Sequence, residues 1–240
     1  MKSILLVVFI FLINKTCISQ NNNEKLFLSY TNVRIYTFFH LPLKSRGRYP
    51  QGTRFFIRIG DSLGIITCNH TIYNGLGIIL DYWEIDSITH YGKHFRDTIN
   101  MPKIYYNAFG YDFSYLSVNL LEDKNKGYIF MAVTPEIFVN KDYIKKMTSD
   151  SVFMTGYQSL KTGLSIYPIV LNGTIINKNH LNCMEILHLK ILSLGGSSGS
   201  PIWSFDKFKK PKLIGIIFSS SQSGGSGYAY ISDLINSISF

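Results

Sequence analysis

Cysteine, acidic side chains and long apolar runs are all scarce in this chain of 240 residues. Its 3 cysteines are too few for a disulfide framework. Cys68 and Cys183, the two beyond the N-terminal segment, are far apart in sequence and read as plain thiols in strands. No CxxC pair and no HExxH segment occurs, which leaves a metal site or a cofactor without support. Long amphipathic helical patterns are missing, as are internal repeats and low-complexity segments. Acidic residues number 15 against 24 basic ones, a formal charge of +9. That charge is spread through loops rather than gathered in one block, so it points only weakly to an anionic surface or partner. No nucleic-acid motif accompanies it, and the 16 tyrosines and 17 phenylalanines suit strands better than base stacking.

One apolar run does stand out. Ile4 to Ile13 comes after Lys2 and leads to Cys17-Ile18-Ser19, with small residues where a signal peptidase reads. Residues 1–19 are therefore expected to be a signal peptide and the protein to be exported. The run is short for a transmembrane span, and no later segment is long and apolar enough for one, so stable membrane insertion is not expected. Lys15 sits where a lipid-anchor motif wants a small residue, which disfavours a lipidated Cys17. Loss of Lys2 and Lys15 takes the formal charge from +9 to +7. Gln20–Asn23 reads as a disordered leader.

Beyond this leader the chain is rich in β-branched and aromatic residues, in short runs separated by Gly, Asn and Pro. Strands are expected at Thr53–Ile59, Gly64–Thr67, Ile78–Trp83, Phe113–Val118, Val152–Thr155, Ile166–Leu171, Gly173–Ile176, Ile186–Ile191, Leu213–Phe218 and Tyr228–Ile231. A turn or two of helix is expected around Pro135–Met147 and a short closing helix at Ile231–Ile238. This is the pattern of an all-β barrel or sandwich.

The chemistry-bearing stretch is Leu194-Gly195-Gly196-Ser197-Ser198-Gly199-Ser200-Pro201-Ile202-Trp203. Glycines can expose a serine hydroxyl beside free backbone N–H groups, the arrangement that acyl transfer needs. Gly195-x-Ser197-x-Gly199 fits the nucleophile elbow of α/β-hydrolases, whose histidine comes after the serine. The six histidines here are His40, His70, His90, His94, His180 and His188, and none lies beyond Ser197, so that template fails. Gly196-x-Ser198-Gly199-x-Pro201 fits a chain order of His, Asp, Ser. His70 ends the apolar run Leu63-Gly64-Ile65-Ile66-Thr67-Cys68-Asn69 and is placed to act as a general base. Asp112 heads the alternating run Phe113–Val118 between two aromatic neighbours, where an imidazole N–H would satisfy its carboxylate. Asp81, Asp86, Asp97 and Asp123 are rivals in more polar surroundings.

These segments together resemble the chymotrypsin-fold (trypsin-like) serine peptidases, in the compact exported branch shared with glutamyl endopeptidases and HtrA-type protease domains. The likeness covers most of residues 50–240. It runs through Gly52–Ile57, Thr67-Cys68-Asn69-His70, Tyr111–Leu116, Val152–Tyr157, Gly196–Pro201, Leu213–Ile216 and Tyr228–Ile231. The resemblance implies an all-β fold of two six-stranded antiparallel barrels with a short C-terminal helix, residues 20–125 carrying His and Asp and 126–240 carrying Ser. It implies an endopeptidase acting on polypeptides, with Ser198 as nucleophile, His70 as base and then acid, and Asp112 orienting His70. The backbone N–H groups of Gly196 and Ser198 would form the oxyanion hole, and no cofactor is implied.

The chain departs from that family in instructive places. Ser197 stands where zymogen-activated members carry an aspartate, which argues against activation by a freed N-terminus. Leu192 stands where the trypsin-type specificity acid would lie, and Ser219–Gly225 offers small polar groups instead. A catalytically inactive binding module on the same fold is the alternative. An Asp-His-Ser order using Asp61 is a further one, disfavoured by the lack of long helices.

Overall fold

A computed structural model describes residues 22–38, 48–72, 82–88, 93–100, 103–106, 109–118, 129–160, 163–164, 167–178, 186–193, 195–220 and 225–238. The expected signal peptide, the boundary at residues 125–126 and Cys183 lie outside these residues.

Residues 22–29 form helix α1. This corrects the expectation that Asn22 and Asn23 belong to a disordered leader: the helix turns Leu28 and Ser29 inward and packs Leu28 against the core. The strands then run β1 (Asn32–Phe38), β2 (Arg48–Ile59), β3 (Ser62–Thr67), β4 (Tyr82–Ile88), β5 (His94–Asn100), β6 (Lys103–Tyr106) and β7 (Ser114–Ser117). Helix α2 (Lys141–Lys146) precedes β8 (Ser151–Gly156), β9 (Ser159–Leu160), β10 (Gly163–Leu164), β11 (Ile169–Asn177), β12 (Ile186–Lys190), β13 (Pro201–Phe205), β14 (Pro211–Ser220) and β15 (Gly227–Ile231).

The later strands close a six-stranded antiparallel barrel in the order β11-β12-β15-β14-β13-β8. Its interior is filled by Ile, Leu and Val side chains such as Leu187, Ile202, Ile214 and Ile231, as the alternating burial of these runs requires. The earlier strands depart from the expected six-stranded barrel. They form a seven-stranded sheet, β5-β4-β1-β2-β3-β7-β6, and among the described residues no pairing joins its edges β5 and β6. All four residues of β6 are in register with β7. In β5, Phe95 is buried while His94 and Arg96, on the opposite face, and the following Asp97 are exposed, as befits an edge strand.

A third core cluster joins the two units, with Phe55, Ile57, Ile66 and Phe113 from the sheet packed on Phe153, Trp203, Ile216 and Tyr230 from the barrel. Residues 129–140 strap both: Val133 pairs with Ile57 and Phe138 with Leu213. The closing element is a 3-10 helix, Ser232–Ser237, which buries Ile235.

Candidate active site

His70 lies in the 3-10 turn Asn69–Thr71, immediately after β3. Asp112 grips that turn at several points. Its Oδ1 accepts from the His70 backbone N–H at 3.0 Å, and its Oδ2 lies 2.5 Å from His70 Nδ1. Its carbonyl accepts from Asn69 N at 3.4 Å, and Asn69 Nδ2 donates to the neighbouring Tyr111 carbonyl at 3.2 Å. An ionised carboxylate accepts only, so beside it the imidazole proton belongs on Nδ1, which leaves Nε2 as the ring's acceptor. The pair is accessible, with side-chain exposures of 47% for His70 and 31% for Asp112.

Asp112 is in turn held by the barrel. Its N–H donates to the Tyr230 hydroxyl at 3.4 Å. The flanking Tyr111 and Phe113 rings pack on Tyr230 with centroids 5.0 and 5.7 Å away, and Phe218 stacks on the same ring at 4.0 Å. Asp61, which the alternative order would use, is exposed in the turn between β2 and β3.

Ser198 sits half-buried in a turn whose glycines take the left-handed region, Gly196 at φ 89° and Gly199 at φ 87°. The turn is closed by Ser200 N donating to Ser197 O at 2.9 Å. Gly199 N donates to Ile217 O at 2.7 Å, and Ile217 N donates to Ser200 O at 2.9 Å. The Ile217 carbonyl also accepts from the Cys68 thiol at 3.2 Å, so one oxygen ties the serine turn to the end of β3. The N–H groups of Gly196 and Ser198 take no part in these bonds.

The serine turn meets the histidine turn across Gly52 and Thr53, two residues with no site signal of their own in the sequence. Thr53 N donates to Ser198 O at 2.8 Å. Thr53 Oγ1 accepts from Tyr157 N at 2.7 Å and lies 2.9 Å from Gly196 O. Gly52 has φ 67°, and a Cβ there would stand 2.8 Å from Ser198 O and 2.9 Å from Thr71 Cγ2. Ser198 and the residue after His70 therefore abut the same glycine. Among the described residues no hydrogen bond joins Ser198 to His70; such nucleophile–base contacts often tighten only with substrate.

Ser197 is 1% exposed, and its Oγ accepts from Gln158 Nε2 at 3.2 Å. Gln158 Nε2 also donates to Leu192 O at 2.9 Å. A neutral amide thus braces the residue before Ser198.

Behind the histidine turn lies Arg54, 0% exposed. Its Nη1 donates to Gly52 O at 3.2 Å and its Nη2 to Thr71 O at 2.8 Å. Burial pushes this guanidinium down to about 9, a perturbation the nearby Cys68 partly offsets. Cys68 is a buried free thiol, and burial followed by the Asp112 charge raises its pKa well above the ordinary value. Ligand-type atoms of Cys68, His70 and Asp112 lie within 4.8 Å of one another. A protonated thiol already donating to Ile217 O is poorly suited to hold a metal there.

No family model and no curated protein matches the chain. Among solved structures it is similar to the protease domain of MamO from Magnetospirillum magneticum in its apo form. The TM-score is 0.56 at 13% identity, over 87% of this chain and 95% of that one. At that identity the likeness establishes the fold alone, a chymotrypsin-like, protease-type one.

Arg54 and Thr53 were invisible as site residues because both read as ordinary members of a strand. A charged residue beside the apolar run Phe55–Ile57 was the available signal, since arginine is almost never fully buried without a purpose.

Proposed function

We propose that this protein is an exported serine endopeptidase whose triad is His70, Asp112 and Ser198. The observation that carries the reading is the two-point grip of Asp112 on His70, beside a serine turn stapled to the same region by Thr53. Ser198 Oγ attacks the peptide carbonyl carbon while His70 Nε2 takes its proton. Asp112 stabilises the resulting imidazolium. The N–H groups of Gly196 and Ser198 receive the developing oxyanion. The C–N bond breaks as His70 returns the proton to the leaving amine, giving an acyl-enzyme on Ser198. Water, deprotonated by His70, then attacks that ester and releases the acid and the free hydroxyl. Residues 20–125 and 126–240 are its two units, residues 1–19 direct export, and a polypeptide is the substrate.

The missing Ser198–His70 hydrogen bond favours a second reading, a binding module that has kept the fold without the chemistry. Hydrolysis of a quenched-fluorescent peptide library separates the two. Turnover by the wild type that vanishes in Ser198→Ala and survives in Ser197→Ala supports the peptidase. No turnover by folded wild type supports the binding module.

A further inference from the structure

Phe208 stands in the hairpin between β13 and β14 and is 70% exposed. The surrounding segment, Asp206-Lys207-Phe208-Lys209-Lys210-Pro211-Lys212, carries four lysines around it. The hairpin is rigidly built. Asp206 Oδ1 accepts from Phe208 N at 2.8 Å and Lys210 N at 2.9 Å, while Asp206 N and Lys210 O pair at 2.9 Å. Lys209 adopts φ 59° to close the turn, and Lys207 Nζ lies 5.0 Å from the Phe208 ring centre. The nearest carboxylate is thus engaged by the backbone of the turn itself.

Helix α2 widens the basic surface. Lys145 and Lys146 are exposed in its last turn, and Lys146, Lys207 and Lys212 share a groove of about 430 Å³ with Tyr143, Phe205 and Phe208. Asp150, on the segment after α2, is paired with Lys178 at 2.7 Å. A purely ionic partner would leave the central phenylalanine without a role. An anionic bilayer uses both features: headgroups take the ammonium groups, and the ring enters the headgroup–acyl boundary.

We propose that this hairpin and the end of α2 dock the protein peripherally on an anionic lipid surface. The five residues of β13 separate the hairpin from the serine turn, about 16 Å at strand rise. The hairpin and the serine turn therefore lie at opposite ends of β13. This surface stands independently of the peptidase reading.

The test is co-sedimentation with vesicles of phosphatidylcholine alone and of phosphatidylcholine with phosphatidylglycerol, at low and high salt. Wild type and variants carry the same N-terminal state, so any contribution of residues 1–19 cancels. Binding is expected only to the anionic vesicles and to weaken with salt. Each of Lys207→Ala and Lys210→Ala should lower affinity about fivefold, and Phe208→Ala about tenfold. A Phe208→Trp variant should gain fluorescence quenching by brominated lipid over wild type, a readout local to the hairpin. Equal binding to neutral vesicles, or no binding to either, would overturn the proposal. So would full binding by Phe208→Ala with soluble heparin competing it away, which would assign the surface to a polyanion.

Discussion

Replacing Arg54 by methionine should separate the stability of this protein from its activity. Methionine has nearly the length of arginine but neither charge nor donors. The depression of the guanidinium from its ordinary value to about 9 corresponds to about 5 kcal/mol of burial cost. The sign is set by the protons bound. Above pH 9 the folded chain loses this proton while the unfolded one keeps it, so this group's penalty is fully present below pH 9 and fades above it. At neutral pH methionine removes the whole penalty. It also strips partners from the buried Gly52 and Thr71 carbonyls, at about 1–3 kcal/mol each. Cost and relief nearly cancel, so the net change should lie between about 1 kcal/mol of loss and 3 kcal/mol of gain. Thermal unfolding should therefore drop by no more than about 4 °C. Activity should not be spared, because Gly52 abuts both Ser198 and Thr71, the neighbour of His70. Loosening that geometry should lower kcat/KM on the best library peptide about 10- to 100-fold, chiefly in kcat. A fall of more than about 10 °C in the unfolding temperature would refute the reasoning about the buried charge. An unchanged kcat would refute the bracing role.

Other positions give sharper single outcomes. Gly199→Ala would place a methyl on the Thr53 carbonyl oxygen at a φ of 87°, so it should cost at least about 3 kcal/mol by thermal denaturation and abolish turnover. Thr53→Val keeps shape but strips Tyr157 N of its acceptor and Gly196 O of a hydroxyl neighbour, so about 2–4 kcal/mol should be lost in a urea titration. The raised pKa of Cys68 means its thiol stays protonated at neutral pH and resists iodoacetamide until the protein unfolds. Because that folded pKa lies above the unfolded one, the wild type should lose stability relative to Cys68→Ala as pH rises past about 9, the range in which only the unfolded thiol ionises and in which Arg54 acts with the opposite sign in both proteins. Asp112→Asn should lower kcat about 10⁴-fold with little change in KM.

Much of this site was legible because its chemistry breaks local rules. Gly196 and Gly199 announce a turn that only positive φ can close, and both take it. His70 and Asp112 interrupt apolar runs, and the structure pairs them. What escaped were positions whose residue type agrees with their surroundings. Gly173 reads as the first residue of a separate strand, yet β11 runs unbroken through it. A Cβ there would stand 2.7 Å from Lys190 O and 2.8 Å from Ile191 Cβ, so the glycine serves close packing rather than a turn. Pro201–Phe205 was absorbed into the serine motif and missed as strand β13. The edge strand β5 was missed because its polar face reads as loop. Thr53 escaped because a β-branched residue in a strand attracts no notice, although its amide and hydroxyl join the two halves of the site. The seven-stranded sheet was beyond reach for a related reason: nothing in β6 distinguishes pairing with β7 from pairing with β5.

The central claim is that His70, set by Asp112, activates Ser198 and no other serine. The direct measurement is to treat the protein with a fluorophosphonate and locate the adduct by tandem mass spectrometry, alongside His70→Ala. The account predicts phosphonylation of Ser198 alone, absent in His70→Ala. An adduct on Ser197, or one on Ser198 that persists without His70, would contradict it.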